Sequence, residues 1–149
     1  MSNWFECKVK YDKMMENGLP KSVSEPYLVD ALSFTEAEAR IIEEMKPYIS
    51  GEFTVANIKR VKLADIFFDE TGDKWYKAKL NYITLDEKSG VEKRTAAFML
   101  IQAQDFATAL TTLTNEMGTT MIDYEVASIT ETAIMDVYRY EVPTPDVQQ

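Results

Sequence analysis

The chain has 149 residues, 46 % of them hydrophobic and 11 % aromatic, enough for one ordinary domain or two fused half-domains with a real core. Its net charge of −9, from 25 acidic against 16 basic residues, argues against coating duplex DNA by bulk electrostatics. With no histidine, imidazole triads, histidine metal sites and imidazole acid–base chemistry are excluded, and one cysteine, Cys7, excludes an intramolecular disulfide.

Along the chain, Phe5, Cys7, Val9 and Tyr11 alternate with Glu6, Lys8 and Lys10, which is strand period with one apolar face. Asn17-Gly18 marks a turn, and a second strand runs from Lys21 to Ala31. Ser33 with Glu36 three residues on is a helix start, and Phe34, Ala37, Ile41 and Met45 form one helical stripe that Pro47 ends. The segment from Phe53 to Phe68 is rich in β-branched and aromatic residues and reads as a long strand. Its alternation fails around Ala56–Arg60, which predicts a bulge.

The pattern then repeats. Trp4-Phe5-Glu6-Cys7-Lys8-Val9-Lys10-Tyr11 returns 71 residues later as Trp75-Tyr76-Lys77-Ala78-Lys79-Leu80-Asn81-Tyr82. The helical stripe returns as Phe106, Ala109, Leu113 and Met117, with Asp105 in the cap position and Gly118 at the end. Phe53-Thr54-Val55-Ala56-Asn57-Ile58 returns as Tyr124-Glu125-Val126-Ala127-Ser128-Ile129, with the same lapse in alternation. Asp69-Glu70-Thr71-Gly72-Asp73 reads as a hairpin turn joining the two copies. The expected fold is therefore α+β: tandem ββαβ halves at 1–69 and 74–140 sharing one compact domain, arranged as a pseudo-twofold antiparallel sheet with both helices on one face. Residues 141–149, with Pro143 and Pro145, are expected to form a flexible tail.

Trp4-Phe5-Glu6-Cys7-Lys8-Val9-Lys10-Tyr11, Glu25-Pro26-Tyr27-Leu28-Val29-Asp30-Ala31, Phe34-Thr35-Glu36-Ala37-Glu38-Ala39 and Thr132-Ala133-Ile134-Met135-Asp136-Val137 together resemble an uncharacterised domain family found in Bacteroidetes and their phages. The resemblance spans roughly residues 3–140. It implies a small intracellular protein of bacterial or phage origin, and brings no activity, cofactor or functional residue with it.

The catalytic inventory is thin. Cys7 lies on the apolar side of its strand, where a small buried hydrophobe is expected rather than a nucleophile. The five glycines all fall at turns or caps, with no phosphate-binding loop among them. Asp65 and Asp136, equivalent in the repeat and set in apolar strands, are the weak candidates for a carboxylate metal site; a cross-strand ion pair or an exposed edge position is the competing expectation. A binding face is better supported. Trp4, Lys8 and Lys10 stand opposite the apolar side of the first strand, and Trp75, Lys77 and Lys79 repeat them. With Arg60 and Lys62 on the neighbouring strand, rings beside cations are what unpaired bases and phosphates require. The competing account is that the tryptophans pack, against the fold or a second copy, and the lysines are ordinary solvent-face residues. Met14-Met15 in a hairpin loop and the apolar pair Phe67-Phe68 ask for a cover, which favours homo-oligomers or a protein partner.

The expected function is accordingly a non-enzymatic binding module without a cofactor, an accessory binder of single-stranded nucleic acid or nucleotides. The alternative is a protein-interaction, adaptor or inhibitor protein acting as a homo-oligomer. The N-terminus lacks a basic stretch followed by an apolar run, and no apolar run approaches 18 residues, so a soluble cytoplasmic protein with no membrane partner is expected.

Overall fold

The computed structural model of the chain describes residues 3–139. Ten elements follow one another: β1 (Trp4–Met14), β2 (Pro20–Asp30), α1 (Phe34–Met45), β3 (Phe53–Val61), β4 (Asp65–Phe67), β5 (Lys74–Leu85), β6 (Glu92–Ala103), α2 (Phe106–Gly118), β7 (Tyr124–Glu131) and β8 (Asp136–Tyr138). The expected tail at 141–149 lies outside the described residues.

The class is mixed α+β, but the single antiparallel sheet expected from the sequence is replaced by two mixed sheets of four strands. Their orders are β3-β1-β2-β8 and β4-β6-β5-β7. The difference arises where the long third strand of each copy breaks. After Val61 the chain leaves the first sheet, the Ala64 amide donates to the Phe98 carbonyl at 2.7 Å, and β4 joins β6 in parallel. Near the other end, Thr132 donates both its amide and its hydroxyl to the Trp75 carbonyl, each at 2.8 Å, and β8 then joins β2 in parallel. Among the described residues the compact units are therefore 3–61 with 136–139, and Lys62–Met135. Each sheet is closed by a three-residue strand that arrives along the chain from the other unit.

This arrangement also removes the expected hairpin at 69–73, because β4 pairs with β6 and not with β5. The turn itself is well built. Asp69 Oδ1 accepts from the Thr71 amide at 3.0 Å and hydroxyl at 2.7 Å, and the Gly72 amide donates to the Asp69 carbonyl. Gln102 holds it on β6, taking the Asp69 amide and giving its own side-chain amide to the Gly72 carbonyl, both at 3.0 Å. Gly72 is required there: a Cβ would sit 2.5 Å from the Ala103 backbone.

Local signals place the helices. Ser33 Oγ accepts from the Glu36 amide at 3.1 Å and Asp105 Oδ1 from the Thr108 amide at 2.7 Å, each satisfying an orphan donor of the first turn. Ala37, Ile41 and Met45 bury the inner stripe of α1, and Ala109, Leu113 and Met117 that of α2. In the first unit this stripe packs on Phe5, Cys7, Val9, Tyr27 and Val29; in the second, on Tyr76, Ala78, Leu80, Met99 and Ile101. No polar side chain is buried among the described residues, so the two cores are held by apolar burial, at about 25 cal/mol per Å².

The predicted bulges are present. The β1–β3 register slips between Lys8 and Val9, leaving Ala56 as the extra residue. The β5–β7 register slips between Lys79 and Leu80, leaving Ala127. A one-residue slip reverses the facing of everything beyond it.

Candidate binding surface

The face of each sheet turned away from its helix carries the residues singled out in the sequence, and splits into a buried end and an exposed end. At the buried end, Trp4 is 8 % and Trp75 2 % exposed, and Leu28 and Leu100 on the same faces are 1 % exposed each. The Trp75 ring meets Phe68 edge-on, centroids 5.7 Å apart. Neither tryptophan offers a ring face to solvent, which weighs against a base-stacking platform and for the packing expectation. Period-2 alternation correctly sets Trp4 and Trp75 opposite Phe5 and Tyr76, but it carries no information about what covers the second face.

At the exposed end stand Lys8 and Lys10 on β1 and Lys77 and Lys79 on β5. The Lys77 ammonium lies 4.8 Å from the Phe98 ring centroid, across the ladder. Lys59 also belongs to this face and pairs with Glu6 at 3.4 Å. Arg60 does not. The Ala56 bulge turns it to the helix side, opposite Phe5, where its guanidinium sits 5.5 Å from that ring. Lys62 is exposed in the link between β3 and β4, outside the ladder.

Asp65 and Asp136 open β4 and β8, both exposed, and in each Oδ1 accepts from the next residue's amide at 2.8 Å. The two therefore share one local job, starting the terminal strand. No group of three or more cysteine, aspartate or glutamate side chains arranged to hold a metal occurs among the described residues.

A site that the sequence did not flag lies at the far end of the first sheet. A cleft of about 610 Å³ opens between β1 and the start of β3, bordered by Lys10, Tyr11, Asp12, Ser22, Glu52 and Thr54. Behind it, Glu25 Oε1 accepts from the Tyr11 hydroxyl at 2.7 Å and from Tyr27 at 3.4 Å, and the Tyr27 ring stacks on Tyr138 at 6.2 Å. Burial, and then the bond to the Glu25 carboxylate, push the Tyr11 hydroxyl up to about 12. Burial and the neighbouring carboxylates raise Tyr27 and Tyr138 in the same sense. At the matching ladder positions β5 and β6 hold Tyr82, Ala97 and Met99, which make no such network. The signal was available as a broken repeat: Glu25 and Tyr27 give way to Ala97 and Met99.

The arrangement defines a mixed α+β scaffold of two helices and two four-stranded sheets. Within that class, a model for domains of unknown function, DUF4494, matches residues 3–140, and the chain belongs to this family. No curated protein matches the chain. Among the described residues, no helix is long and apolar enough to cross a membrane.

Proposed function

We propose that this is a non-enzymatic module, of bacterial or phage origin, that binds protein chains, its own included. The observation that carries this is the distribution of apolar side chains. Both tryptophans are withdrawn from solvent, while Met14, Met15 and Leu19 stand exposed at the β1–β2 tip and Leu85 and Val91 at the β5–β6 tip. Apolar tips on two long hairpins serve no core and suit an interface. The two sets of elements are best understood as copies of one ββαββ unit, so that a partner meets the same kind of tip twice.

Binding of single-stranded nucleic acid is the second reading. It is favoured by the exposed Lys8, Lys10, Lys77 and Lys79 and weakened by the loss of both stacking rings.

Sedimentation equilibrium on the wild type and on Met14→Lys/Met15→Lys/Leu19→Lys separates the two, with labelled oligo-dT polarisation at low and high salt alongside. Masses above the 17.1 kDa of one chain that fall to that value in the variant, with no oligo-dT response, are expected. A monomer at every concentration that binds oligo-dT steeply weaker in salt reverses the order of the two readings.

A further inference from the structure

Each copy of the repeat gives its last strand to the sheet of the other, at one and the same register. β4, which follows β3, lies on β6 with Asp65, Ile66 and Phe67 against Met99, Leu100 and Ile101. β8, which follows β7, lies on β2 with Asp136, Val137 and Tyr138 against Tyr27, Leu28 and Val29, the equivalent positions of the repeat. Reciprocal exchange of an identical element is how two like chains form a swapped dimer, and here it joins two copies within one chain. The two exchanged strands are held differently. β4 is fixed from both sides, by the Ala64 amide on the Phe98 carbonyl and by the 69–73 turn that Gln102 clamps. β8 is held to the second unit through 132–135, where Thr132 is itself tied to the Trp75 carbonyl. From Thr132 to Asp136 even a fully extended chain reaches no more than about 14 Å. So short a link leaves little slack for closing onto its own first unit, and short hinges of this kind favour exchange between molecules. The dock is the same whichever chain supplies the strand. Val137 is buried, Tyr138 stacks on Tyr27, and the Arg40 guanidinium donates to the carbonyls of Asp30, at 2.8 Å, and Arg139.

We propose that two copies of the chain exchange β8, each completing the first sheet of the other, in a dimer where every sheet keeps its four strands. The partner is a second copy, and its recognition element is Asp136-Val137-Tyr138 laid in parallel on Tyr27-Leu28-Val29. The contact is the same on both chains and closes on itself, so it yields dimers and not fibres. The inference rests on the self-association part of the protein-binding function and gives it a surface other than the hairpin tips.

The test asks which chain β8 comes from. Asp30 and Arg139 follow the last pair of the β2–β8 ladder, so Asp30→Cys/Arg139→Cys in a Cys7→Ala background sets two thiols side by side. The full chain is oxidised while native, its remaining thiols are blocked, and the product is run on a non-reducing denaturing gel. A covalent dimer of twice 17.1 kDa is expected. Inserting about six Gly/Ser residues between Ala133 and Ile134 gives the link slack and returns the disulfide to single chains. The same insertion in the otherwise wild-type chain, read by sedimentation equilibrium, raises the dimer dissociation constant at least about tenfold and needs no cysteine variant. Disulfides confined to single chains at every concentration, thiols that never join in a chain with a native circular dichroism spectrum, or a dimer indifferent to the insertion overturns the proposal. A dimer that carries its disulfides within chains and dissociates in Met14→Lys/Met15→Lys/Leu19→Lys overturns the exchange and leaves the protein-binding function standing. A covalent dimer that survives those tip substitutions supports the exchange and removes the tips from self-association.

Discussion

Replacing Trp75 by alanine distinguishes a packing tryptophan from a ligand-stacking one. The side chain is 2 % exposed and its ring meets Phe68 edge-on at 5.7 Å. An indole buried to that degree removes about 150–250 Å² from water, worth roughly 4–6 kcal/mol at about 25 cal/mol per Å². The edge contact adds about 0.5–1.5 kcal/mol. Partial collapse of the space around the truncated side chain and a compact unfolded state lower the sum, so a loss of about 3–5 kcal/mol is expected, the range of large-to-small core substitutions. Urea unfolding followed by far-ultraviolet circular dichroism measures it independently of the lost fluorophore, and the thermal midpoint should fall by roughly 10 °C. A surface ring held for a ligand costs no more than about 0.5 kcal/mol when removed. A loss below about 1 kcal/mol would therefore refute the packing role and return Trp75 to the candidate site.

Three further outcomes follow from the geometry. Burial, with Glu6 and Glu38 nearby, pushes the Cys7 thiol up to about 12, so Ellman's reagent should leave the native chain untouched and label one thiol only in denaturant. Gly72→Ala forces a Cβ against the Ala103 backbone and should cost about 1–3 kcal/mol in the same unfolding experiment, whereas Gly51→Ala, which meets nothing within 4 Å, should cost far less. The bonds from the Thr108 amide and hydroxyl hold the Asp105 carboxyl below its ordinary value, so its contribution is present above the unfolded value and lost as pH falls through the lower, folded one. Amide exchange at the start of α2 should therefore quicken under acid conditions below the ordinary aspartate range, and Asp105→Asn, which caps without titrating, should abolish that pH dependence.

What the sequence disclosed was local. Ser33, Asp105 and the three-residue inner stripes declared both helices because caps and helical period act within a few residues. The Ala56 and Ala127 bulges were visible because alternation lapsed at both. The fate of Asp65–Phe67 and Asp136–Tyr138 was not legible, since a three-residue apolar strand has no local preference between an antiparallel and a parallel neighbour. Arg60 shows how one local feature propagates. Counted without the slip it joins the lysines, and counted with it, Arg60 lies over Phe5. The cleft stayed hidden for another reason: residues as small as Ser22, Gly51 and Thr54 on its border form no motif, and absent bulk shows only when one copy is laid against the other.

The parallel strand β8 has a consequence for the order of assembly. The second unit is contiguous from Lys62 to Met135 and holds all four of its strands. The first unit emerges earlier in synthesis, yet Tyr27, Leu28 and Val29 must wait for Asp136, Val137 and Tyr138 before their sheet is complete. Closing so long a loop is slow, and until it closes the outer edge of β2 at these residues is bare. The sheet begun first thus cannot be completed until the short segment that follows the whole second unit has been made.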